Sequence, residues 1–274
     1  IKLFGYKHKI IFDHYTKYAT NIICNENELI RIDENDLNKY LIFEEVLPIK
    51  ICQFKIARCG STLLNNMLWD DKKIKIVSEP LIINDICEDN LLTREEKIKY
   101  LKLCFRLLSL KYKSYQVNCF IDLNSQVIYN YDLIKETIND NNIVYLTRDP
   151  LMVSQSLLKS PPVWLNTDTD IYESISEYII NSYKIVLEST NIYNIFDYEE
   201  ILNFEYIHWI YKKLGYELDT ELINKMKLNF KYHSKSGESF NNDYTIETAN
   251  PRIKELLENN SILNDFKVFQ SDRY

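Results

Sequence analysis

The sequence predicts an α/β protein, in which a central parallel sheet of about five strands is flanked by helices in three layers. Short apolar runs alternate along the chain with longer segments whose apolar residues recur at helical spacing. The run at residues 142–147 has a continuous apolar centre at 143–146, as is typical of a strand buried on both faces of a parallel sheet. No linker rich in Pro, Gly or Ser divides the chain. We therefore predict one domain over residues 1–274, with a lead-in at 1–50, a core at 51–240 and a tail at 241–274.

The elements follow from this alternation, and each strand is predicted where an apolar run ends in polar residues. Residues 1–50 alternate without a helical period and predict short strands and turns. The predicted core strands are 51–57, 75–78, 119–122, 142–147 and 192–196. The predicted helices are 61–70, 97–109, one from 151, then 171–188, 201–214, 221–230 and a short one from 252.

Composition bounds the partners of the chain. The sequence is 46% hydrophobic and 27% charged, which indicates an ordinary globular protein. The net charge of −7 argues against a nucleic-acid partner, although it leaves room for a small basic anion pocket. No run approaches the roughly 18 apolar residues of a membrane span. Lysines and His8 interrupt the apolar runs of residues 1–11, so no signal peptide is expected there. A cytoplasmic protein is expected, although the missing initial Met leaves a removed leader possible.

The six cysteines form no CxxC pair and no metal-ligand spacing. Several lie in apolar patterns, where cysteine acts as a small buried hydrophobe, and we expect reduced thiols. His8 and His14 have no cluster of further ligands nearby and are read as surface residues. No metal is predicted.

The turn after the first core strand is the strongest local signal. Gly60 is one of only four glycines in the chain, and Ser61 and Thr62 follow it at the start of a helical pattern. Such a turn offers free backbone N–H groups and the positive end of a helix dipole, which suit a phosphate. Arg58 adds a fixed positive charge. The alternative is a plain turn in which Ser61 or Thr62 caps the helix.

Polar residues follow the other predicted strands as well, and parallel strands bring their carboxyl ends to one edge of the sheet. Two basic anion sites, one carboxylate and one aromatic side chain would meet there, as a nucleotide with two separated phosphates requires. The loop is not a Walker A motif, because Ser61 stands where the lysine after the second glycine belongs. These strand-end residues are Arg58 with Gly60, Ser61 and Thr62; Glu79; Asn124 and Ser125; Arg148 with Ser154 and Ser156; and Tyr198.

Two motifs resemble those of the sulfotransferases. Residues 58–64, Arg-Cys-Gly-Ser-Thr-Leu-Leu, resemble their 5′-phosphosulfate loop, whose pattern is basic-x-Gly-Ser/Thr-Thr. Residues 148–150, Arg-Asp-Pro, with Ser156 resemble their 3′-phosphate motif, in which a serine follows the arginine by eight positions. Residues 78–80, Ser-Glu-Pro, strengthen the match to one branch of that family. The resemblance covers about residues 50–240 and implies a P-loop-type fold.

The resemblance implies a sulfonate transfer from 3′-phosphoadenosine-5′-phosphosulfate (PAPS) to a hydroxyl or amine, without a metal. Glu79, which lies 21 residues after Arg58, would be the general base, and Arg58 would also stabilise the leaving group. Tyr198 would contact adenine, and Lys235 would belong to a late loop over the 3′ phosphate. The implied donor-binding residues are Arg58, Cys59, Gly60, Ser61, Thr62, Leu63, Arg148, Ser156, Tyr198 and Lys235.

Several of these assignments have alternatives. Glu79 could instead cap the segment after Pro80 or pair with Arg58, Lys235 could be solvated, and His233 could be the base. Cys59 is read as packing, and Trp164 as either acceptor pocket or core. A magnesium-dependent P-loop kinase and a non-catalytic nucleotide-binding module of the same fold are the competing functions.

One departure from the family pattern concerns the third strand. Residues 119–125 lack the basic residue that many relatives carry there, and Asp122 has the wrong sign to face a sulfonate. The acceptor, whether a small molecule, a carbohydrate or a peptide, is not named by any motif. We expect its pocket in variable loops at 82–92, 160–170 and beyond 231. The sequence leaves the oligomeric state open.

Overall fold

A computed structural model describes residues 5–6, 9–10, 44–166, 170–189, 194–229 and 249–271. Its main sheet has five strands: β3 (Ile49–Lys55), β4 (Ile74–Ser78), β5 (Asn118–Asp122), β6 (Ile143–Leu146) and β7 (Ile195–Phe196). They lie in the order β4-β5-β3-β6-β7 and are flanked by helices, which confirms the predicted three-layer α/β class. Strand β4 runs parallel to β5 with Ile74 opposite Asn118, and β6 runs parallel to β7. A separate antiparallel pair joins β1 (Gly5–Tyr6) and β2 (Lys9–Ile10).

Helices connect the strands of the main sheet. The first part of the chain has α1 (Ser61–Leu68), α2 (Leu81–Glu88), α3 (Arg94–Leu108) and α4 (Tyr131–Lys135), with 3₁₀ turns at Ser125–Asn130 and Asp140–Asn142. The second part has α5 (Pro150–Lys159), α6 (Ile171–Ser189), α7 (Tyr198–Leu202), α8 (Glu205–Leu214), α9 (Thr220–Asn229), α10 (Pro251–Asn259) and α11 (Ile262–Ser271). Most predicted elements therefore occur within a few residues of their expected bounds.

Two expectations were wrong. The loop expected at 82–92 is largely helix α2, because Ile83, Ile86 and Cys87 fall at helical spacing and are buried. The single helix expected at 201–214 is two helices, α7 and α8. Phe204 separates them with a backbone φ of 65°, which lies in the left-handed region and does not occur in a regular right-handed helix.

The chain falls into two compact units. The first comprises residues 1–52 and 71–142, and the second comprises residues 53–70 and 143–274. In the first unit, α2 packs on α3 and beside the 3₁₀ turn at Ser125–Asn130. In the second unit, α6 packs against α5, α10 and α11, and α9 packs on α1. The single-domain assignment stays a prediction.

Cysteine behaves as the composition suggests. Five cysteines, at positions 52, 59, 87, 104 and 119, are buried free thiols, and Cys24 lies outside the described residues. Burial raises the pKa of Cys87 and of Cys119 to about 12, so both stay protonated at neutral pH. Among the described helices, none combines the length and the apolar character that crossing a membrane requires.

Lys75 is a buried cation in β4. Its side chain is enclosed, with the residue 4% exposed, and its Nζ donates to the Leu110 carbonyl at 2.7 Å. The same nitrogen lies 4.0 Å from the ring centroid of Tyr112. Burial lowers the pKa of Lys75 from 10.5 to about 8, against an opposing effect of Cys119, its register partner on β5. Keeping this buried amine charged therefore destabilises the folded state.

Replacing Lys75 with methionine is expected to remove a pH dependence of stability. Unfolding returns this pKa to 10.5, so between pH 8 and 10.5 the unfolded chain binds more protons than the folded chain. The lysine contribution to the free energy of unfolding therefore rises with pH in this window, by up to about 1.4 kcal/mol per pH unit, and is constant below it. Across this window, the free energy of unfolding measured in urea should rise less with pH, or fall more steeply, for Lys75→Met than for the wild type. Exposed Lys72→Met is the control, and parallel curves for all three proteins would contradict the assignment.

Candidate functional site

The turn between β3 and α1 has an unusual backbone. Arg58 has φ 66° and Gly60 has φ 91°, so two of its residues lie in the left-handed region. The Ala57 N–H donates to the Tyr178 hydroxyl at 2.7 Å. Cys59 is buried between the two left-handed residues, which agrees with its reading as a packing residue. Strained backbone of this kind is kept where the surrounding structure fixes it, and it concentrates at functional sites.

Helix α1 begins without a side-chain cap. Gly60 occupies the cap position, and its carbonyl accepts the first helical hydrogen bond from the Leu64 N–H at 3.1 Å. Within the described ranges no side chain caps this helix, and its first turn has no acidic residue. The alternative of a turn capped by Ser61 or Thr62 is therefore not what the structure has. The first-turn N–H groups and the dipole together offer an anion site.

The second predicted anion motif is built differently. At the start of α5, the Asp149 carboxylate accepts from the N–H groups of Leu151 and Met152 at 2.8 and 3.1 Å. That helix terminus is occupied by a carboxylate, so an anion bound by this motif would depend on side chains. Arg148 and Ser156 are both half-buried, the latter within α5. Their assignment to a 3′ phosphate stays a prediction.

Tyr198 lies against the loop glycine. It is the first residue of α7 and is buried, and a Cβ added to Gly60 would lie 2.6 Å from its Cε2 atom. Gly60 is therefore required twice, for its positive φ and for this close approach. Burial raises the pKa of Tyr198 against the opposing charge of Arg148, so the phenol is neutral at ordinary pH. Its predicted contact with adenine is untested.

Arg148 joins the two motifs. Its guanidinium carbon lies 4.3 Å from the ring centroid of Tyr198, and its Nη1 donates to the Arg58 carbonyl at 3.3 Å. The predicted 5′ and 3′ motifs, 90 positions apart, are thus in direct contact. The Arg58 guanidinium in turn donates to the Ser160 carbonyl at the end of α5. Two cationic side chains and an uncapped helix terminus therefore lie in one unit of the fold.

Glu79 directly follows β4 in the other unit. It is half-buried with φ 49°, a left-handed conformation that is uncommon for glutamate, and its N–H donates to the Asp122 carbonyl at 2.7 Å. Pro80 occupies the cap position of α2 without a side-chain cap, so Glu79 does not cap this helix. Asp122 is fully buried and accepts from the Ser78 hydroxyl at 3.4 Å. The role of Glu79 as base stays a prediction.

Two tyrosines of α6 were not singled out from the sequence. Tyr178 accepts from the Ala57 N–H, and the Tyr183 hydroxyl donates to the Arg148 carbonyl. Both contacts join distant parts of the chain, and nothing local distinguishes these side chains among 21 tyrosines. Trp164 is half-buried with its ring centroid 4.9 Å from that of Tyr178, which favours packing over an acceptor pocket. Lys235 and His233 lie outside the described residues.

A surface cleft of about 620 Å³ occurs elsewhere, in the first unit. Its charges pair with one another, Arg94 with Glu136 and Lys135 with Asp140 at 3.4 Å. It contains no predicted site residue. In the described part of the chain, no three His, Cys, Asp or Glu side chains are grouped to hold a metal ion.

Comparison with known proteins gives fold-level likeness alone. No family profile and no curated protein sequence matches the chain. The sulfotransferase domain of the Synechococcus PCC 7002 olefin synthase aligns with a TM-score of 0.45 and 14% identity, over 78% of this chain and 95% of that one. A sulfotransferase from Mycobacterium avium aligns with a TM-score of 0.46 and 13% identity, over 81% of each chain. Neither likeness bears on activity, which has to be argued from the residues of this chain.

Proposed function

We propose that this protein is a sulfotransferase that uses PAPS as donor. The observation that carries the proposal is the uncapped N-terminus of α1, with Arg58 and Arg148 joined beside it. An uncapped helix start that follows one arginine, whose carbonyl binds the guanidinium of a second, suits a multiply charged phosphate ester. The basic residue precedes the glycine, and the loop lacks the lysine with which a Walker A motif reaches a nucleotide triphosphate.

The transfer divides into tasks that this chain can perform. The donor supplies an activated sulfonate, whose bond to the 5′-phosphate oxygen breaks as a bond to the acceptor oxygen or nitrogen forms. The N–H groups of Ser61, Thr62 and Leu63 and the Arg58 guanidinium would stabilise the charge left on that phosphate. Arg148 and Ser156 would bind the 3′ phosphate, and Tyr198 would contact adenine. Lys235 would belong to the late loop over the 3′ phosphate. The fixed charges would serve in place of a metal.

Glu79 is the proposed general base. A carboxylate can take the acceptor proton while the sulfonate transfers, so the product is formed as its sulfate or sulfamate anion and the carboxyl group is left protonated. Two observations support the choice. Its strained φ of 49° is maintained by a backbone hydrogen bond to β5, and its carboxylate is not used as a helix cap. A charged side chain kept on strained backbone at a strand end is a functional candidate.

Nucleotide selectivity tests the proposal. By calorimetry, adenosine 3′,5′-bisphosphate is expected to bind at least about tenfold more tightly than 5′-AMP, because charge-assisted bonds to the 3′ phosphate are lost with AMP. EDTA is expected to leave both affinities unchanged. Arg148→Ala should lower the affinity for the bisphosphate by tenfold or more and the affinity for AMP far less. The same substitution at the exposed Arg106 should change neither affinity.

Three outcomes would overturn the assignment in different ways. Equal affinities for the two nucleotides would remove the 3′-phosphate site. ATP binding that collapses with EDTA would indicate a magnesium-dependent kinase instead. Tight bisphosphate binding without transfer to any phenol, sugar or amine tested would indicate a non-catalytic module.

A further inference from the structure

Helix α6 contacts both predicted phosphate-binding turns through the hydroxyls of two tyrosines. Tyr178 accepts from the Ala57 N–H in the turn before α1, at 2.7 Å. Tyr183 donates to the Arg148 carbonyl in the turn before α5. The two hydroxyls therefore act with opposite polarity on main-chain atoms, one binding a donor and the other an acceptor. They are five positions apart on a helix of 19 residues, so their Cα atoms lie roughly 7.5 Å apart along its axis.

Both tyrosines are held rigidly. Tyr178 is 5% exposed and packs on Trp164, and Tyr183 is 1% exposed and packs edge-on against Phe266 of α11 at 5.6 Å between ring centroids. Burial raises the pKa of Tyr183 well above 10, and the nearby Asp149 acts in the same direction. The Tyr183 hydroxyl therefore keeps the proton that it donates. A buried ring fixed by aromatic neighbours can hold backbone atoms to a small tolerance.

We infer that Tyr178 and Tyr183 are positioning residues, which fix the two anion-binding turns to one rigid helix and so set the geometry of a two-phosphate site. Tyr178 occupies the Ala57 N–H, which leaves the following N–H groups of the turn and of α1 to face an anion. Tyr183 fixes the main chain from which the Arg148 side chain extends. We call the two hydrogen bonds, from the Ala57 N–H to Tyr178 and from Tyr183 to the Arg148 carbonyl, the backbone clamp. The clamp can be tested without any nucleotide, whereas its consequence for nucleotide binding rests on the proposed function.

Amide hydrogen exchange of the unliganded chain tests the clamp alone. Tyr178→Phe is expected to speed exchange at residues 56–60 at least about tenfold, because the Ala57 N–H loses its partner. Tyr183→Phe is expected to speed exchange at residues 147–149 and to leave residues 56–60 unchanged. Both substitutions keep the ring and its packing, so each should lower the unfolding midpoint only by the cost of one main-chain group without its partner, and unfolding should stay cooperative. Tyr172→Phe, on the first turn of α6, is the matched control.

The nucleotide titration tests the consequence and separates the two tyrosines. Tyr178→Phe is expected to weaken adenosine 3′,5′-bisphosphate and 5′-AMP by the same factor, about five- to tenfold. Tyr183→Phe is expected to weaken binding of the bisphosphate alone, so the ratio of the bisphosphate affinity to the AMP affinity falls. A general loss of structure would weaken both ligands in both variants and would not produce this split.

The possible failures are distinguishable. Unchanged exchange in both Phe variants overturns the clamp, whichever nucleotide the wild type prefers. Altered exchange in the expected segments, together with equal wild-type affinities for the two nucleotides, supports the clamp and overturns the proposed function. Altered exchange with no change in the affinity ratio for Tyr183→Phe overturns the positioning role in binding.

Discussion

Gly60→Ala is expected to destabilise the fold by about 2–5 kcal/mol and to abolish nucleotide binding. One part of the loss is conformational, because a Cβ at φ 91° costs about 1–2 kcal/mol. The other part is steric, since that Cβ would lie 2.6 Å from the Tyr198 Cε2 atom, and overpacking of this kind typically costs about 1–3 kcal/mol. Urea unfolding gives the stability, and titration with adenosine 3′,5′-bisphosphate gives the binding.

Gly215 supplies a matched control for the conformational part. It has φ 86°, and a Cβ there would meet no described atom within 4 Å, so Gly215→Ala should show the conformational loss alone. The double variant Gly60→Ala with Tyr198→Ala should cost less than the sum of the two single losses, because the clash has been removed. Equal losses at Gly60 and Gly215, or strict additivity with Tyr198, would mean that the close approach does not constrain the loop.

Glu79→Gln is expected to slow sulfonate transfer by about 10²–10⁴-fold while leaving bisphosphate affinity within about twofold. Glutamine keeps the size of the side chain and the backbone hydrogen bond to Asp122, but its neutral amide cannot remove a proton from the acceptor substrate. Transfer from labelled PAPS to a panel of phenols, sugars and amines measures the rate. Exposed Glu88→Gln, at the end of α2, is the control. An unchanged rate with every acceptor that the wild type uses would rule out Glu79 as the base.

The sequence was sufficient for those features that local chemistry determines. The apolar runs and their polar ends predicted the sheet, and the Arg-Cys-Gly-Ser-Thr string predicted the turn before α1. Strand-end reasoning also anticipated that Arg58, Arg148 and Tyr198 would meet, because parallel strands carry their carboxyl ends to one edge. These inferences need only the period of the pattern and the residue types at its boundaries.

Long-range packing was beyond the sequence. The bond from Ala57 to Tyr178 spans 121 positions, and no local pattern specifies such a pairing. Helix α2 was mistaken for a loop because its short apolar pattern follows a proline and resembles a variable segment. The break at Phe204 was missed because a left-handed phenylalanine has no compositional signal. In each case tertiary contacts decide the outcome over local propensity.

The contact between Trp164 and Tyr178 gives the chain an intrinsic optical reporter. Trp164 lies four positions after Ser160, whose carbonyl accepts from the Arg58 guanidinium, so an anion that draws Arg58 away would alter the surroundings of this indole. The other two tryptophans provide a reference, since Trp69 is exposed and Trp209 packs on Phe196 in a different part of the unit. Unlabelled protein could therefore be screened by fluorescence against nucleotides first and acceptors second, with binding seen before any turnover is known.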